Sequence, residues 1–172
     1  MLFRSVYWWR NPGPAGWSGP WVRDSLKSTG AVKHHDLAFG DFDGNGTVEL
    51  ALWNQGLPAA PVDDLFVATI PADPTTGEWP RARIFDGTVA TEGMAVADVD
   101  GDGHDDLVVG GRWFRNNAGT WTSEVYDATV TSVRVAVGQL VPGGRPEIGT
   151  SSGDSVGELY LYRWSGSAWV RT

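Results

Sequence analysis

The 172-residue chain has no cysteine, which excludes disulfide staples and thiol-ligated zinc or iron but leaves the compartment open. It has no apolar stretch near the roughly 18 residues needed to span a bilayer, so membrane insertion is not expected. The opening "MLFRSVYWWRNPGP" lacks a charged segment followed by an apolar run, so any export signal is missing or removed. No window of eleven or more residues carries helical apolar spacing, and no helix is expected. Thirteen basic residues are scattered along a chain of net charge −8, which argues against nucleic acid as a partner, because phosphate binding needs clustered Lys and Arg. Only three histidines are present (His34, His35 and His104). No G-x-S-x-G or H-E-x-x-H motif accompanies them.

What the chain has is punctuation. Twenty-three glycines and ten prolines separate short runs of alternating or β-branched character, among them "DLAFGDF", "VELALW", "MAVADV", "DLVVGG", "VRVAVGQL" and "ELYLYRW". These read as strands, and the chain as all-β. The strands recur as a four-strand unit. The clearest copy runs from "GMAVADVDGDG" through "HDDLVVGG" and "RWFRNNAG" to "TWTSEVYDA", with a copy on either side. Each copy ends on a strand opened by a tryptophan: Trp79, Trp121 and Trp169. Ahead of the first, "YWWRNPGPAGWSGPWVRDSL" matches the second half of a unit, setting Trp8-Trp9-Arg10-Asn11 over Trp113-Phe114-Arg115-Asn116. The single segment 1–172 therefore divides into a half blade at 1–30 and blades at 31–90, 91–129 and 130–172.

Eight of the 21 acidic residues fall in two nine-residue stretches, "DFDGNGTVE" at 41–49 and "DVDGDGHDD" at 98–106. Their shared order, D-x-D-x-[DN]-G-x-x-[DE], offers oxygens at positions 1, 3, 5 and 9 and a backbone carbonyl at position 7. A glycine at position 6 makes the sharp turn. A hard cation taking about six to eight oxygens suits that set, and calcium is the natural occupant. Without a cation, three or four carboxylates this close repel one another. An EF-hand opens in the same way but needs a bidentate Glu at position 12 and flanking helices. Position 12 is Leu52 in one loop and Val109 in the other, and the flanks are strands. The third unit reads "QLVPGGRPE", where Gln139, Val141 and Gly143 replace the first three ligands and only Glu147 survives, so that loop is expected to be metal-free. The expectation is two calcium ions. The second site should be the tighter because it has four carboxylates against three, with affinities around 10⁻⁴ to 10⁻³ M or somewhat tighter.

The strand-D-x-D-G-[DN]-G-x-x-[DE]-strand unit together with W-[WF]-R-N resembles the FG-GAP/VCBS repeat family, the integrin-α-like calcium-binding blades. The resemblance implies a β-propeller of four-stranded antiparallel blades, commonly seven, with calcium in the loop between the first two strands. Its ligand positions carry over to Asp41, Asp43, Asn45 and Glu49, with the backbone carbonyl of Thr47. In the second loop they carry over to Asp98, Asp100, Asp102 and Asp106, with the carbonyl of His104. About three and a half blades is fewer than the four to eight that ordinarily close a ring. The chain is therefore expected to self-associate or to be part of a longer protein.

His34 and His35 begin an inner strand, so one of them is a candidate for the channel face, whereas His104 is expected to point outward. Trp79, Trp121 and Trp169 are expected to pack between blades. Trp8, Trp9, Trp17, Trp21, Trp113 and Trp164 lie near loops that could be open, where aromatics stack on sugars or anchor protein interfaces, but for each of them core packing is the favoured expectation. With nearly every clustered carboxylate committed to metal, a free carboxylate pair for glycoside hydrolysis is not expected. The function expected is a calcium-stabilised extracellular or cell-surface scaffold binding carbohydrate or another protein, more a binder than an enzyme. The alternative is the propeller part of a secreted polysaccharide lyase or sugar dehydratase.

Overall fold

A computed structural model describes residues 5–27, 33–57, 60–87, 91–153 and 156–172. The expected boundaries at 30 and 90 lie outside the described residues. Fourteen strands and one 3₁₀ turn, Pro14–Gly16, make up the regular structure. That turn apart, the all-β expectation holds.

The strands form four antiparallel sheets. β1 (Val6–Arg10) and β2 (Val22–Lys27) pair as a two-stranded sheet. β3 (Lys33–Gly40), β4 (Glu49–Leu57), β5 (Ala60–Ala68) and β6 (Arg81–Gly87) follow one another in a four-stranded sheet. So do β7 (Met94–Ala97), β8 (Asp106–Val109), β9 (Arg112–Asn117) and β10 (Thr120–Val125). The last sheet is β11 (Val133–Gly138), β12 (Glu147–Ser152), β13 (Leu159–Trp164) and β14 (Trp169–Arg171). Half a blade and three whole ones is the division the repeats give. The first strands of successive whole sheets, β3, β7 and β11, lie side by side, as they do in propeller-like blades.

Sheets stack because the pleat sends alternate side chains to opposite faces. On β4, Leu50 and Leu52 join Val6, Leu26, Ala68 and Trp79 against the two-stranded sheet. Ala51 and Trp53, one residue out of phase, join Leu65, Leu107, Val109 and Phe114 against the second blade. The same alternation on β8 and β9 turns Val108 and Trp113 toward Ile148 and Tyr162 of the third. Among the described residues the buried side chains form three clusters, one at each interface between sheets. In the middle interface, Phe114 meets Phe85 edge-on at 5.0 Å and Trp53 at 6.0 Å. Truncating Phe114 to Ala should cost about 3–5 kcal/mol, read as a lower urea midpoint with an unchanged slope.

Trp79 is buried, and the partly buried Trp121 and Trp169 pack against the neighbouring sheets, as expected. Among the tryptophans near loops, Trp113 takes the core packing favoured for them. It is 4% exposed and packs 6.4 Å from Trp169. Trp8 and Trp164 are half-buried, which leaves Trp9, Trp17 and Trp21 as the exposed members of the group. Among the described residues, no helix is long and apolar enough to cross a membrane.

Candidate metal centres

Both acidic loops join the first strand of a blade to the second, 41–48 between β3 and β4 and 98–105 between β7 and β8. Each turns tightly because its position-6 glycine, Gly46 or Gly103, holds φ of 84° or 90°, a region that L side chains rarely adopt. Within each loop the first carboxylate organises the backbone. Asp41 accepts N–H bonds from Asn45 at 3.0 Å and Gly46 at 2.8 Å. Asp98 accepts from Gly101 at 2.8 Å, Asp102 at 3.1 Å and Gly103 at 2.9 Å.

The loops bring carboxylates together. Asp41, Asp43 and Glu49 place oxygens within 4.8 Å of one another, and so do Asp98, Asp100 and Asp106. Neither nine-residue loop contains a Lys or Arg of its own, and the second triad is reached from β9 by Arg115, which pairs with Asp100. Burial, reinforced by the charges of Asp43 and Asp41, pushes the Glu49 carboxyl up even though the Phe42 N–H opposes the shift. Burial raises Asp106 to about 6 against three opposing hydrogen bonds, and the charge of Asp100 adds to the rise. Convergent, charge-strained oxygens of this kind fit a hard divalent cation.

The remaining expected ligands stand apart from these triads. Asn45 donates its amide to Asp43 Oδ2 at 2.8 Å, and its Oδ1 accepts from Thr47 N at 2.8 Å. Asp102 Oδ1 accepts from His104 N at 3.0 Å, and its Oδ2 faces Arg115 at 3.6 Å. Arg115 also forms an ion pair with Asp100. This cation on β9 offsets the extra carboxylate of the second loop, so charge count no longer ranks the second site above the first. His104 does not point outward. Its ring is partly buried, its Nδ1 is shut off from solvent, and it lies against Gly44 of the first loop.

Position 9 has a second role that the spacing did not reveal. Phe42 N donates to Glu49 at 2.9 Å, Val99 N to Asp106 at 3.1 Å and Leu140 N to Glu147 at 2.9 Å. In all three blades the closing acid thus fastens the start of its loop. Asp106, fully buried, also accepts from Trp113 Nε1 at 3.0 Å and Asn116 N at 2.7 Å. The sequence did hold the signal: Glu147 persists in a loop that has lost every other acid. That third loop keeps the turn, with Gly144 at φ 76°. The side-chain amide of Gln139 donates to the carbonyls of Val141 and Gly143. An amide donor at position 1 offers hydrogens to the loop where the other two offer carboxylates.

The two acidic loops are tied to each other across the blade interface. Asp41 N donates to Asp105 Oδ2 at 3.1 Å, and Asn116 Nδ2 donates to Phe42 O at 2.7 Å and Asp105 O at 2.9 Å.

The inner-strand histidines are both partly buried. His35 Nδ1 sits 2.9 Å from Asp36 Oδ2 and its Nε2 3.5 Å from Glu92 Oε1. Both ring nitrogens of His34 are shut off from solvent without a partner. Burial, aided by Lys27 on β2 and Arg81 on β6, lowers its pKa to about 4. The neutral ring therefore contributes stability that is complete above the unfolded pKa near 6.5 and is lost as pH falls through about 4. Allowing for partial exposure, the loss should be about 2 kcal/mol. A His34→Gln chain should show a shallower decline in denaturation midpoint between those pH values.

Residues 90–123, which contain β7 to β9, the second acidic loop and the first four residues of β10, match the family model of the FG-GAP repeat. Comparison with curated proteins and with solved structures gives no match.

Proposed function

The chain carries an FG-GAP repeat at residues 90–123, and from that premise we propose that it is a calcium-stabilised, extracellular binding scaffold of propeller blades. Two calcium ions are held, one by Asp41, Asp43, Asn45 and Glu49 and one by Asp98, Asp100, Asp102 and Asp106. Carbonyls of Thr47 and His104 complete the sets. The observation that carries this reading is the pair of carboxylate triads, each within 4.8 Å, at equivalent places on adjacent blades. Calcium cancels the repulsion within each triad and so stiffens the loops. It is structural, and ligand contact belongs elsewhere.

The contact surface is the two-stranded sheet and its connecting loop, where Trp9, Trp17 and Trp21 are 53%, 62% and 46% exposed. Exposed indole faces suit the apolar faces of sugar rings or an aromatic-poor protein surface. Carbohydrate is the ligand class assigned, with an extracellular protein as the other outcome. Isothermal titration of the chelator-treated chain should give two calcium equivalents, one after Asp98→Asn and one after Asp41→Asn. A glycan array should give signals that Trp17→Ala and Trp21→Ala abolish. No heat in the first experiment overturns the calcium sites, and unaltered array signals in the tryptophan variants overturn the contact surface.

The enzymatic alternative rests on His35 with Asp36, Glu92 and Arg134, whose guanidinium is 3.9 Å from Glu92. No tyrosine joins that group among the described residues. Turnover of an acidic or neutral polysaccharide that disappears in His35→Ala would favour it.

A further inference from the structure

At the end away from the acidic loops, the two interfaces between whole blades carry the same aromatic pair. Between the second and third blades, Tyr126 precedes Asp127 at the end of one blade and meets Tyr162 of β13 edge-on at 4.9 Å. Between the first and second, Phe85 precedes Asp86 and meets Phe114 of β9 edge-on at 5.0 Å. The difference is two hydroxyls. Tyr126 Oη donates to the carbonyl of Gly110, and Tyr162 Oη donates to Asp127 Oδ2 at 2.9 Å, so the later interface is tied across this end. Phe85 and Phe114 can make neither bond. A cavity of about 350 Å³ stands beside them.

This volume lies in the range of small-molecule pockets, about 300–1,000 Å³. The cavity has an apolar floor and a polar rim. Trp53, Val109 and Val130 are buried at its base, whereas Asp86, Arg112, Val125 and Ala128 line it from partly or fully exposed positions. The Phe85 ring is already taken up by the protein: Trp53 lies nearly parallel to it at 6.2 Å, Phe114 meets its edge, and the Arg112 guanidinium sits 5.0 Å from its centroid. A sugar ring, which needs an open aromatic face and many hydrogen bonds, is poorly served here. A flat apolar ring suits the valines and the indole.

Charge assigns the other end of the ligand. Asp86 pairs with Arg83 at 3.2 Å. Asp127, which also lines the cavity, accepts from Thr129 N at 2.9 Å and from Tyr162 Oη, and pairs with Arg171 at 3.4 Å. Both acids are thus engaged. Arg112 donates to Ser123 Oγ at 3.1 Å and has no carboxylate partner among the described residues. A guanidinium held in place over a ring, with donors to spare, takes a carboxylate by two parallel bonds.

We propose that this cavity between the first two whole blades binds a small aromatic carboxylate. Its ring rests on Trp53, Val109 and Val130, and its carboxylate is held by Arg112. The site depends neither on the calcium loops nor on the exposed tryptophans, so it stands or falls apart from them.

The probe is phenylacetate, titrated into the full chain in millimolar calcium and followed by saturation-transfer NMR. Saturable binding is expected with Kd of about 1 mM or tighter, as suits about ten non-hydrogen atoms. Benzyl alcohol, which lacks the charge, and glucuronate, which lacks the aromatic ring, should each bind about tenfold more weakly. Arg112→Gln should weaken phenylacetate about tenfold and leave benzyl alcohol unchanged, whereas a merely loosened interface would weaken both. Arg112→Lys should recover part of the loss. Ala128→Trp adds bulk at the exposed rim, and it should abolish binding while the urea midpoint stays that of the parent. No saturable binding at millimolar phenylacetate, equal affinity in Arg112→Gln, or binding that survives Ala128→Trp overturns the proposal. Glucuronate binding as tightly as phenylacetate assigns the cavity to sugar acids and overturns it too.

Discussion

Calcium at about 10 mM should raise the thermal midpoint of the chain by roughly 10–20 °C over the same protein in chelator. A ligand that binds only the folded state stabilises by RT ln(1 + [L]/Kd), about 2.7 kcal/mol at a hundredfold excess over Kd. With Kd near 10⁻⁴ M, two sites together give about 5 kcal/mol. For a domain of this size each kcal/mol moves the midpoint by roughly 2–4 °C. Asp41→Asn and Asp98→Asn should each remove more than half of the rise. The loops are bonded to each other through Asp105 and Asn116, so losing one site should also weaken the other, and the two losses should sum to more than the whole. Calorimetry with and without chelator reads both quantities. A rise below about 2 °C, or one equal for calcium and magnesium, would contradict structural calcium sites, because magnesium dehydrates reluctantly and demands stricter geometry.

The all-β character and the four-strand order were legible because strand length, turn residues and the two-residue pleat are local properties, written into each copy of the unit. The acidic triads were legible for the same reason: carboxylates confined to nine residues are brought together by the turn of one loop. What the spacing could not show is anything that depends on how blades dock. The His104 ring turns inward because the first loop lies beside it and Gly44 leaves room. Asp105 falls outside the ligand pattern, yet it receives the Asp41 N–H from the neighbouring blade. Arg115 stands thirteen or more residues beyond the carboxylates it pairs with, in a stretch that reads only as a polar strand end. The indole of Trp113 finds its acceptor on the adjacent strand, at Asp106 seven residues earlier, a partner that strand pairing sets and the sequence around Trp113 does not name.

The closing acid and the inner acids of a loop should separate cleanly in chelator. Asp106 is fully buried and accepts from Val99 N, Trp113 Nε1 and Asn116 N. Asp106→Ala leaves three buried donors without an acceptor, a loss of about 3–5 kcal/mol even with no calcium present. Asp100, whose side chain is 5% exposed, pairs with Arg115, whose side chain is 47% exposed, so water screens the pair from the arginine side and it contributes about 1 kcal/mol at most. Asp100→Ala also relieves repulsion within its triad. In chelator it should therefore leave the urea midpoint within about 0.5 kcal/mol of the parent, while abolishing the calcium increment of the second site. Glu147→Ala is the control, because Glu147 makes the same fastening bonds to Leu140 N and Val141 N in a loop without other acids. It should destabilise by about 1–3 kcal/mol in chelator and in calcium alike. If Asp106→Ala proved neutral in chelator and costly only with calcium, position 9 would be a ligand and nothing more. The persistence of Glu147 in the third loop would then lose its explanation.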